Sequence, residues 1–214
     1  MAMEIKHYDL VKRLIQTGDC IAWNGWGHNT IEWLYSIGIK IATGPITHIS
    51  TAIWVQIGDK DVLFLAETMA LGTLFDSLDR RINMANSENW TQCWWLPLSD
   101  ERRARFDEQA AKSYMIRKVE EGTPYDVLQG IRSAFDEWGL GRQHNPRDDT
   151  KLFCSELHMF ILSAGRAVKD CNASEAHPTD VARFDIHAPT YYQIFGNKLE
   201  LQNVNTVCPD GWDM

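Results

Sequence analysis

The first half of the chain contains short runs of β-branched and aromatic residues separated by turn residues, a pattern that predicts strands. Before these runs, residues 3–16 place apolar side chains at helical spacing and predict a first helix. The turn Gly58-Asp59 lies between two of the runs and predicts a β-hairpin. The expected strands span residues 20–23, 48–57, 62–67, 72–75 and 92–96.

Helical periodicity is more prominent in the second half of the chain. An apolar helix is expected over residues 153–162, and the polar residues 140–150 predict an exposed loop. Residues 191–207 predict a last pair of strands with a turn at Gly196-Asn197. The other expected helices span residues 30–41, 101–121 and 125–138, and a short one begins near residue 177.

Length and composition favour one domain. The 214 residues include nine Trp, eight Phe and six Tyr, which can fill one sizeable core. Gly and Pro are dispersed as turn residues, without a repeat or a linker, so we expect a single domain over residues 1–214. The formal net charge of -8, with no run of Lys or Arg, makes nucleic acid an unexpected partner.

The cysteines and the apolar runs bear on the compartment. The five cysteines are odd in number, widely spaced and without a C-x-x-C pair, which predicts free thiols in a reducing compartment. The first residues lack the apolar core of a signal peptide. No apolar stretch approaches the roughly 20 residues needed to cross a bilayer. We therefore expect a cytoplasmic protein without a transmembrane segment.

Cys154 has a chemically significant position, because it lies at or within one turn of a predicted helix N-terminus. A thiol attacks only as a thiolate, and the unpaired N–H groups and positive dipole end of a helix favour that form. The same N–H groups can face an oxyanion that forms on a substrate carbonyl. A free cysteine is also commonly a small buried apolar side chain. A nucleophile and a structural residue are both open interpretations of Cys154.

Two residues of the predicted hairpin are candidates to activate that thiol. His48 opens the first arm, where its ring can serve as a base toward a neighbouring helix start. Glu67 ends the second arm, where cross-strand pairing can bring its carboxylate to His48 and fix the tautomer. Thr68 is a weaker candidate for the role of Glu67. His158, one helical turn after Cys154, is an alternative partner for the thiol.

These candidates belong to an ordered pattern of short segments. The segments are Gly18-Asp19, Thr47-His48-Ile49-Ser50, Ala66-Glu67, Pro124-Tyr125-Asp126, Phe153-Cys154-Ser155-Glu156-Leu157 and Pro178-Thr179-Asp180. The pattern resembles the circularly permuted, papain-like branch of the NlpC-type superfamily, the YiiX-like and YebB-like proteins related to lecithin retinol acyltransferase. The histidine precedes the cysteine, which is the permuted order, and a triad that is defined in space tolerates that order.

The resemblance implies an α+β, papain-like fold in which an antiparallel sheet or partial barrel packs against helices. It also implies that Cys154 is the nucleophile, His48 the base and Glu67 the third polar residue. The expected activity is that of an amidase or peptidase that forms a thioester intermediate. The alternatives are a thioesterase or lipid acyl hydrolase or acyltransferase with the same triad, and a non-catalytic binding module on the same fold.

The expected ligand is a peptide, amide or acyl substrate, and we interpret His28, Trp26 and Ser155 as residues that contact it. Trp26 belongs to a tryptophan-rich region with Trp23 and Trp33, which would favour lipid substrates if it formed an apolar groove. No cofactor is expected. A metal site is not expected either, because the candidate ligands lack the short fixed spacing of known metal motifs.

Overall fold

The computed structural model describes residues 1–25, 44–69, 72–124, 150 and 152–212. The predicted helices at residues 30–41 and 125–138 lie outside the described residues, as does nearly all of the predicted loop at residues 140–150. The described part combines a seven-stranded mixed sheet with six α-helices, which is an α+β architecture.

All seven strands lie in one sheet. They are β1 (Ala2–Ile5), β2 (Cys20–Gly25), β3 (His48–Ile57), β4 (Lys60–Met69), β5 (Gly72–Ser77), β6 (Trp90–Leu96) and β7 (Thr190–Gly196). Their order across the sheet is β1-β7-β6-β2-β3-β4-β5. β1 runs parallel to β7, and the other neighbouring strands pair antiparallel. β2 therefore occupies the centre, next to the β3–β4 hairpin.

Helices cover both faces of this sheet. They are α1 (Tyr8–Val11), α2 (Leu78–Met84), α3 (Asp100–Ala104), α4 (Glu108–Glu120), α5 (Cys154–Ala164) and α6 (Pro178–Arg183). Because side chains alternate along a strand, Ile49 and Ile53 pack in one core cluster with α5, and Ala52 and Leu65 pack in a second with α1 and α2. No helix within the described residues is both long enough and apolar enough to span a membrane.

The β3–β4 hairpin confirms the prediction for residues 48–57. Its turn is Gly58-Asp59, and Gly58 has a φ of 63°, a left-handed conformation that glycine adopts without strain. The register pairs Thr51 with Ala66. Continued by one residue, this register puts Ser50 opposite Glu67 and leaves His48 as a diagonal neighbour of that carboxylate. The hairpin thus fixes the relative positions of three polar side chains.

The single helix predicted over residues 3–16 is wrong. The chain instead forms β1, then α1, then a turn of 3-10 helix at Lys12–Leu14. β1 pairs in parallel with the first residues of β7, with Ala2 opposite Thr190. This partner is about as far away along the sequence as the chain allows, so local periodicity could not reveal it.

The helix predicted over residues 101–121 is interrupted. It divides into α3 and α4, because the side chain of Asp107 caps a new helix by accepting from the Ala110 N–H at 3.0 Å. The break turns Phe106 onto the backbone of two glycines. A Cβ would lie 2.6 Å from the Phe106 ring at Gly18 and 2.4 Å from it at Gly165. Phe106, at the break between the two helices, therefore packs between the segment before β2 and the end of α5.

Of the last predicted strand pair, the first strand is confirmed and the second is wrong. Only β7 forms in this region, and the chain from Asn197 to Thr206 has no strand. Val207 makes an isolated parallel bridge with Phe184 beside α6 instead of returning along β7. The Tyr191 hydroxyl accepts from the Leu201 N–H at 2.9 Å, so a side chain takes the place that a partner strand would have had.

Asp19 connects several of these elements from a buried position. Its side chain is 1% exposed and accepts from the backbone N–H groups of Gln16 at 2.8 Å and Leu98 at 3.0 Å. The same carboxylate accepts from the Trp95 indole at 2.8 Å and from the guanidinium of Arg103 on α3. Four donors thus converge on one carboxylate at the entry to β2.

Replacement of Asp19 by Ala would leave these buried donors without an acceptor. We expect Asp19→Ala to lower the free energy of unfolding by about 3 kcal/mol or more. Asp61→Ala, on the exposed start of β4, is the matched control and should change it by less than about 0.5 kcal/mol. Urea unfolding of both variants measures the difference, and similar losses would contradict a connecting role for Asp19.

Candidate active site

The three residues predicted as a triad lie together at the junction of the β3–β4 hairpin and α5. His48 is the first residue of β3, Glu67 lies near the end of β4, and Cys154 is the first residue of α5. The His48 Nε2 atom is 2.9 Å from Glu67 Oε2, and the Cys154 thiol lies close enough to the ring to affect its pKa. Because Glu67 takes Nε2, the ring nitrogen that remains for Cys154 is Nδ1.

The surroundings of His48 favour its charged form. Burial alone would lower the pKa of this histidine. The charge and hydrogen bond of Cys154, together with those of Glu67, outweigh burial and raise the pKa of His48 to about 9. A protonated imidazole therefore lies between two groups that can carry negative charge.

Glu67 is fully buried, at 0% exposure, and is surrounded by donors. Besides His48, its Oε2 atom accepts from the Ser50 hydroxyl at 2.8 Å, and its Oε1 atom accepts from the Arg81 guanidinium. Burial raises the pKa of this carboxyl, but His48, Arg81 and Ser50 outweigh burial and lower the pKa below its usual value. The carboxylate is thus held ionised and with both oxygens occupied.

An indole ring lies beside this network. The Trp90 ring centroid is 5.7 Å from that of His48, and the Arg81 Cζ atom is 5.7 Å from the Trp90 centroid. Trp90 packs against the last residue of β2, since a Cβ on Gly25 would lie only 2.3 Å from the indole. Gly25 is therefore required for the indole to reach His48 and Arg81.

The sequence did not indicate Arg81 or Trp90 as part of the site. Arg81 follows Arg80 in a charged helix and Trp90 is one of nine tryptophans, so neither has a distinctive local pattern. Ser50 could have been found, because it shares the strand parity of His48 and therefore points to the same side of β3. Its indole neighbour Trp23 donates to the Ser50 hydroxyl at 3.2 Å and so also fixes its orientation.

The start of α5 brings backbone N–H groups close to the thiol, because Cys154 is the first residue of the helix. The N-cap residue is Phe153, whose side chain is apolar. Glu156 accepts from the Phe153 N–H at 2.6 Å and so stabilises the helix start. The N–H groups of the first turn can therefore face a developing oxyanion beside Cys154.

The predicted substrate contacts have different outcomes. Ser155 is fully buried, and its hydroxyl donates to the Ala176 carbonyl at 2.6 Å, so it ties α5 to the segment before α6. A substrate contact by Ser155 stays a prediction. His28 and Trp26 lie outside the described residues.

The two alternative triad members contact other groups. The Thr68 hydroxyl lies 3.2 Å from that of Thr73 on β5. His158 belongs to α5 and is buried in the core, with its Nδ1 atom 2.8 Å from the Thr51 hydroxyl. The hydrogen bonds of the site thus favour Glu67 and His48 over Thr68 and His158.

None of the five cysteines, all of which lie within the described residues, forms a disulfide, and they differ in exposure. Cys154 is only 2% exposed, and Cys20, Cys93 and Cys171 are also buried, whereas Cys208 is exposed. Burial raises the pKa of both Cys20 and Cys93 well above the usual value for a thiol. The exposed cysteine, Cys208, is therefore not the one that lies beside a histidine, which is Cys154.

No protein-family model matches the chain, and no curated protein matches it in sequence. The chemistry of the site therefore rests on its own geometry. Within the described residues, no group of three or more His, Cys, Asp or Glu side chains could hold a metal ion. A thiol, an imidazole and a carboxylate lie next to one another at the start of α5, and the imidazole is hydrogen-bonded to the carboxylate.

Two buried histidines, His158 of α5 and His187 between α6 and β7, generate a testable pH dependence. Burial, with a smaller contribution from His187, lowers the pKa of His158 to about 3, and burial lowers that of His187 to about 4. In the unfolded chain both would titrate near 6.5. The unfolded state therefore binds protons first as pH falls, and stability that is present above about pH 6.5 is lost below it.

We expect each of the two histidines to reduce the free energy of unfolding by roughly 1.5 kcal/mol between about pH 6.5 and about pH 5. His158→Gln, which keeps a hydrogen-bonding group for Thr51, should remove about half of this loss in urea unfolding. His7→Gln changes an exposed histidine and should leave the loss as in the wild type. An undiminished loss in His158→Gln would show that other groups cause it.

Proposed function

We propose that this protein is a cysteine hydrolase of the amidase or peptidase type, with Cys154 as nucleophile, His48 as general acid and base, and Glu67 as the residue that orients His48. The observation that carries the proposal is that the His48 ring lies between the hydrogen-bonded carboxylate of Glu67 and the thiol of Cys154, which is close enough to affect the pKa of His48. A nucleophile, a base and a group that orients the base form the arrangement used in covalent acyl transfer.

Acylation begins with the Cys154 Sγ atom as a thiolate and His48 as an imidazolium. Sγ attacks the amide carbonyl carbon, an S–C bond forms, and the carbonyl oxygen becomes an oxyanion that faces the first-turn N–H groups of α5. The C–N bond then breaks as His48 Nδ1 donates its proton to the leaving amine. The products of this step are a thioester on Cys154, a neutral His48 and a free amine.

Deacylation reverses the role of His48. Neutral Nδ1 takes a proton from water while the water oxygen bonds to the thioester carbon, and the S–C bond then breaks. The thiolate and the imidazolium are regenerated, and the acyl group leaves as a carboxylic acid. Throughout both steps Glu67 remains on Nε2, so that Nδ1 is always the nitrogen that faces the reacting atoms.

The same geometry supports membership of the permuted, papain-like group that the sequence resembles. A cysteine begins a helix that packs on a largely antiparallel sheet, and a histidine and a carboxylate come from adjacent strands of that sheet. These residues occur in the order histidine, glutamate, cysteine along the chain. Peptide and amide substrates are the class that this proposal assigns to the site.

The described residues do not favour a lipid substrate over an amide. Trp23, part of the tryptophan-rich region that could have formed an acyl groove, is fully buried in the core. Trp26 and Trp33 lie outside the described residues. A non-catalytic binding module would be expected to hold an unreactive buried thiol, and the reactivity of Cys154 therefore distinguishes it from the proposed enzyme.

The first test is the rate at which iodoacetamide alkylates each cysteine between about pH 4 and about pH 9, followed by mass spectrometry. Exposure alone would make Cys208 react fastest, since the other four thiols are buried. The proposal predicts that Cys154, although only 2% exposed, reacts fastest at the acidic end. A pairing with His48 is the reason, since it keeps the thiolate present at low pH.

His48→Ala is the matched variant and should abolish the low-pH reactivity of Cys154 while leaving that of Cys208 unchanged. The ultraviolet absorbance of the thiolate, compared with Cys154→Ser, tests the same point without requiring iodoacetamide to reach a buried atom. If neither measurement distinguishes Cys154 from the other cysteines, the enzyme proposal fails and the binding module takes its place.

A further inference from the structure

Arg81 lies directly behind the proposed triad. It belongs to α2, and its side chain is only 6% exposed. Its guanidinium contacts Glu67 Oε1, the oxygen that His48 does not use, and its Nη2 atom is also 2.9 Å from Asp76 Oδ2. A buried arginine therefore completes a series that runs from Cys154 through His48 and Glu67 to α2.

In the proposed reaction Glu67 must stay ionised even when His48 is neutral, and His48 alone cannot ensure this. While His48 is an imidazolium, it compensates the buried carboxylate, but after it donates its proton to the leaving amine it is neutral. A buried carboxylate without a cation is strongly disfavoured and tends to take up a proton. If Glu67 were protonated at this stage, it could not hold the imidazole as the acceptor on Nε2.

We propose that Arg81 is a positioning residue of this site, which keeps Glu67 anionic and fixed in orientation while His48 releases and regains its proton. The inference rests on the proposed function, and it assigns to Arg81 a part in the same reaction. Arg81 touches neither the thiol nor the reacting atoms and acts only through Glu67. The guanidinium suits this role because it stays protonated and can bond two carboxylates at once.

Several charged groups surround the His48–Glu67 pair. Cys154 faces it from α5, and Arg81 faces it from α2. Asp76 from β5 and Glu88 after α2 contact Arg81, and the thiol of Cys93 on β6 lies close enough to Arg81 for that charge to act on it. Arg81 is the cation in direct contact with Glu67 apart from His48, within the residues that the structure describes.

Arg80 provides a matched control on the same helix. It forms ion pairs with the two acidic partners of Arg81, namely Asp76 and, at 2.7 Å, Glu88. Its side chain is 48% exposed and makes no contact with Glu67 among the described residues. Arg80→Gln therefore removes one positive charge from the acidic cluster without removing a partner of Glu67.

The test is a titration of the His48 ring by NMR in the full-length protein, with the resonance assigned by its loss in His48→Ala. Removal of a positive charge next to the pair strengthens the hold of Glu67 on the imidazolium. We expect Arg81→Gln to raise the measured pKa of His48 by about one pH unit or more, and Arg80→Gln to move it by a few tenths at most. Equal shifts in the two variants would overturn the proposal.

Arg81→Lys keeps a buried charge and guards against failure of Arg81→Gln to fold. A lysine cannot reach Glu67 and Asp76 with one planar group, so we expect a shift between those of Arg80→Gln and Arg81→Gln. If Arg81→Gln does not fold and the pKa of His48 in Arg81→Lys is the same as in the wild type, Arg81 has a role in the fold only. That result would overturn the proposal.

The titration requires no substrate, so it separates this inference from the proposed function. If Cys154 shows no low-pH alkylation but His48 shifts in Arg81→Gln, the hydrolase proposal fails and the electrostatic link stands. If Cys154 is reactive but His48 does not shift, the triad stands and Arg81 has no part in it.

Discussion

The site depends on the burial of one carboxylate. Glu67 has no exposure to water, and an ionised group in that position is stable only when donors and cations replace the solvent. Ser50 supplies a hydroxyl, and His48 and Arg81 supply charge. These three partners come from two elements, the β3 strand and the α2 helix, and α2 packs against β4 and β5. The position of the imidazole follows from theirs.

The alternation of side chains in β3 and β4 explains how this arrangement coexists with a packed core. Ile49 and Ile53 of β3 pack with α5, and Leu63 and Leu65 of β4 pack on the other face. Glu67 has the parity of Leu65 and therefore points toward α2, where Arg81 meets it. The same backbone thus builds two apolar clusters and places a charged pair at the end of one of them, without a special local conformation.

The sequence predicted the parts of this structure that local pattern determines. β3 and its turn and the start of α5 follow from alternation, turn residues and helix signals. The same signals made Cys154, His48 and Glu67 candidates, and the family resemblance implied that they form a triad. β1 did not, because its partner β7 lies at the other end of the chain. The Asp107 cap that divides α3 from α4 is a local signal, whereas the packing of Phe106 against two glycines and the contact of Arg81 with Glu67 depend on tertiary folding. Neither leaves a mark in neighbouring residues.

The candidate residues of the site come from two separate structural units, and this explains why histidine can precede cysteine along the chain. The hairpin β3–β4 holds His48 and Glu67 in a fixed mutual register, and α5 presents Cys154 at its own first residue. The packing of α5 on the sheet brings the thiol to the imidazole. The geometry therefore does not depend on how the chain connects the hairpin to the helix. The proposed triad can therefore form whether the hairpin comes before or after the helix in the sequence. The reaction depends only on the distances and orientations of the three side chains.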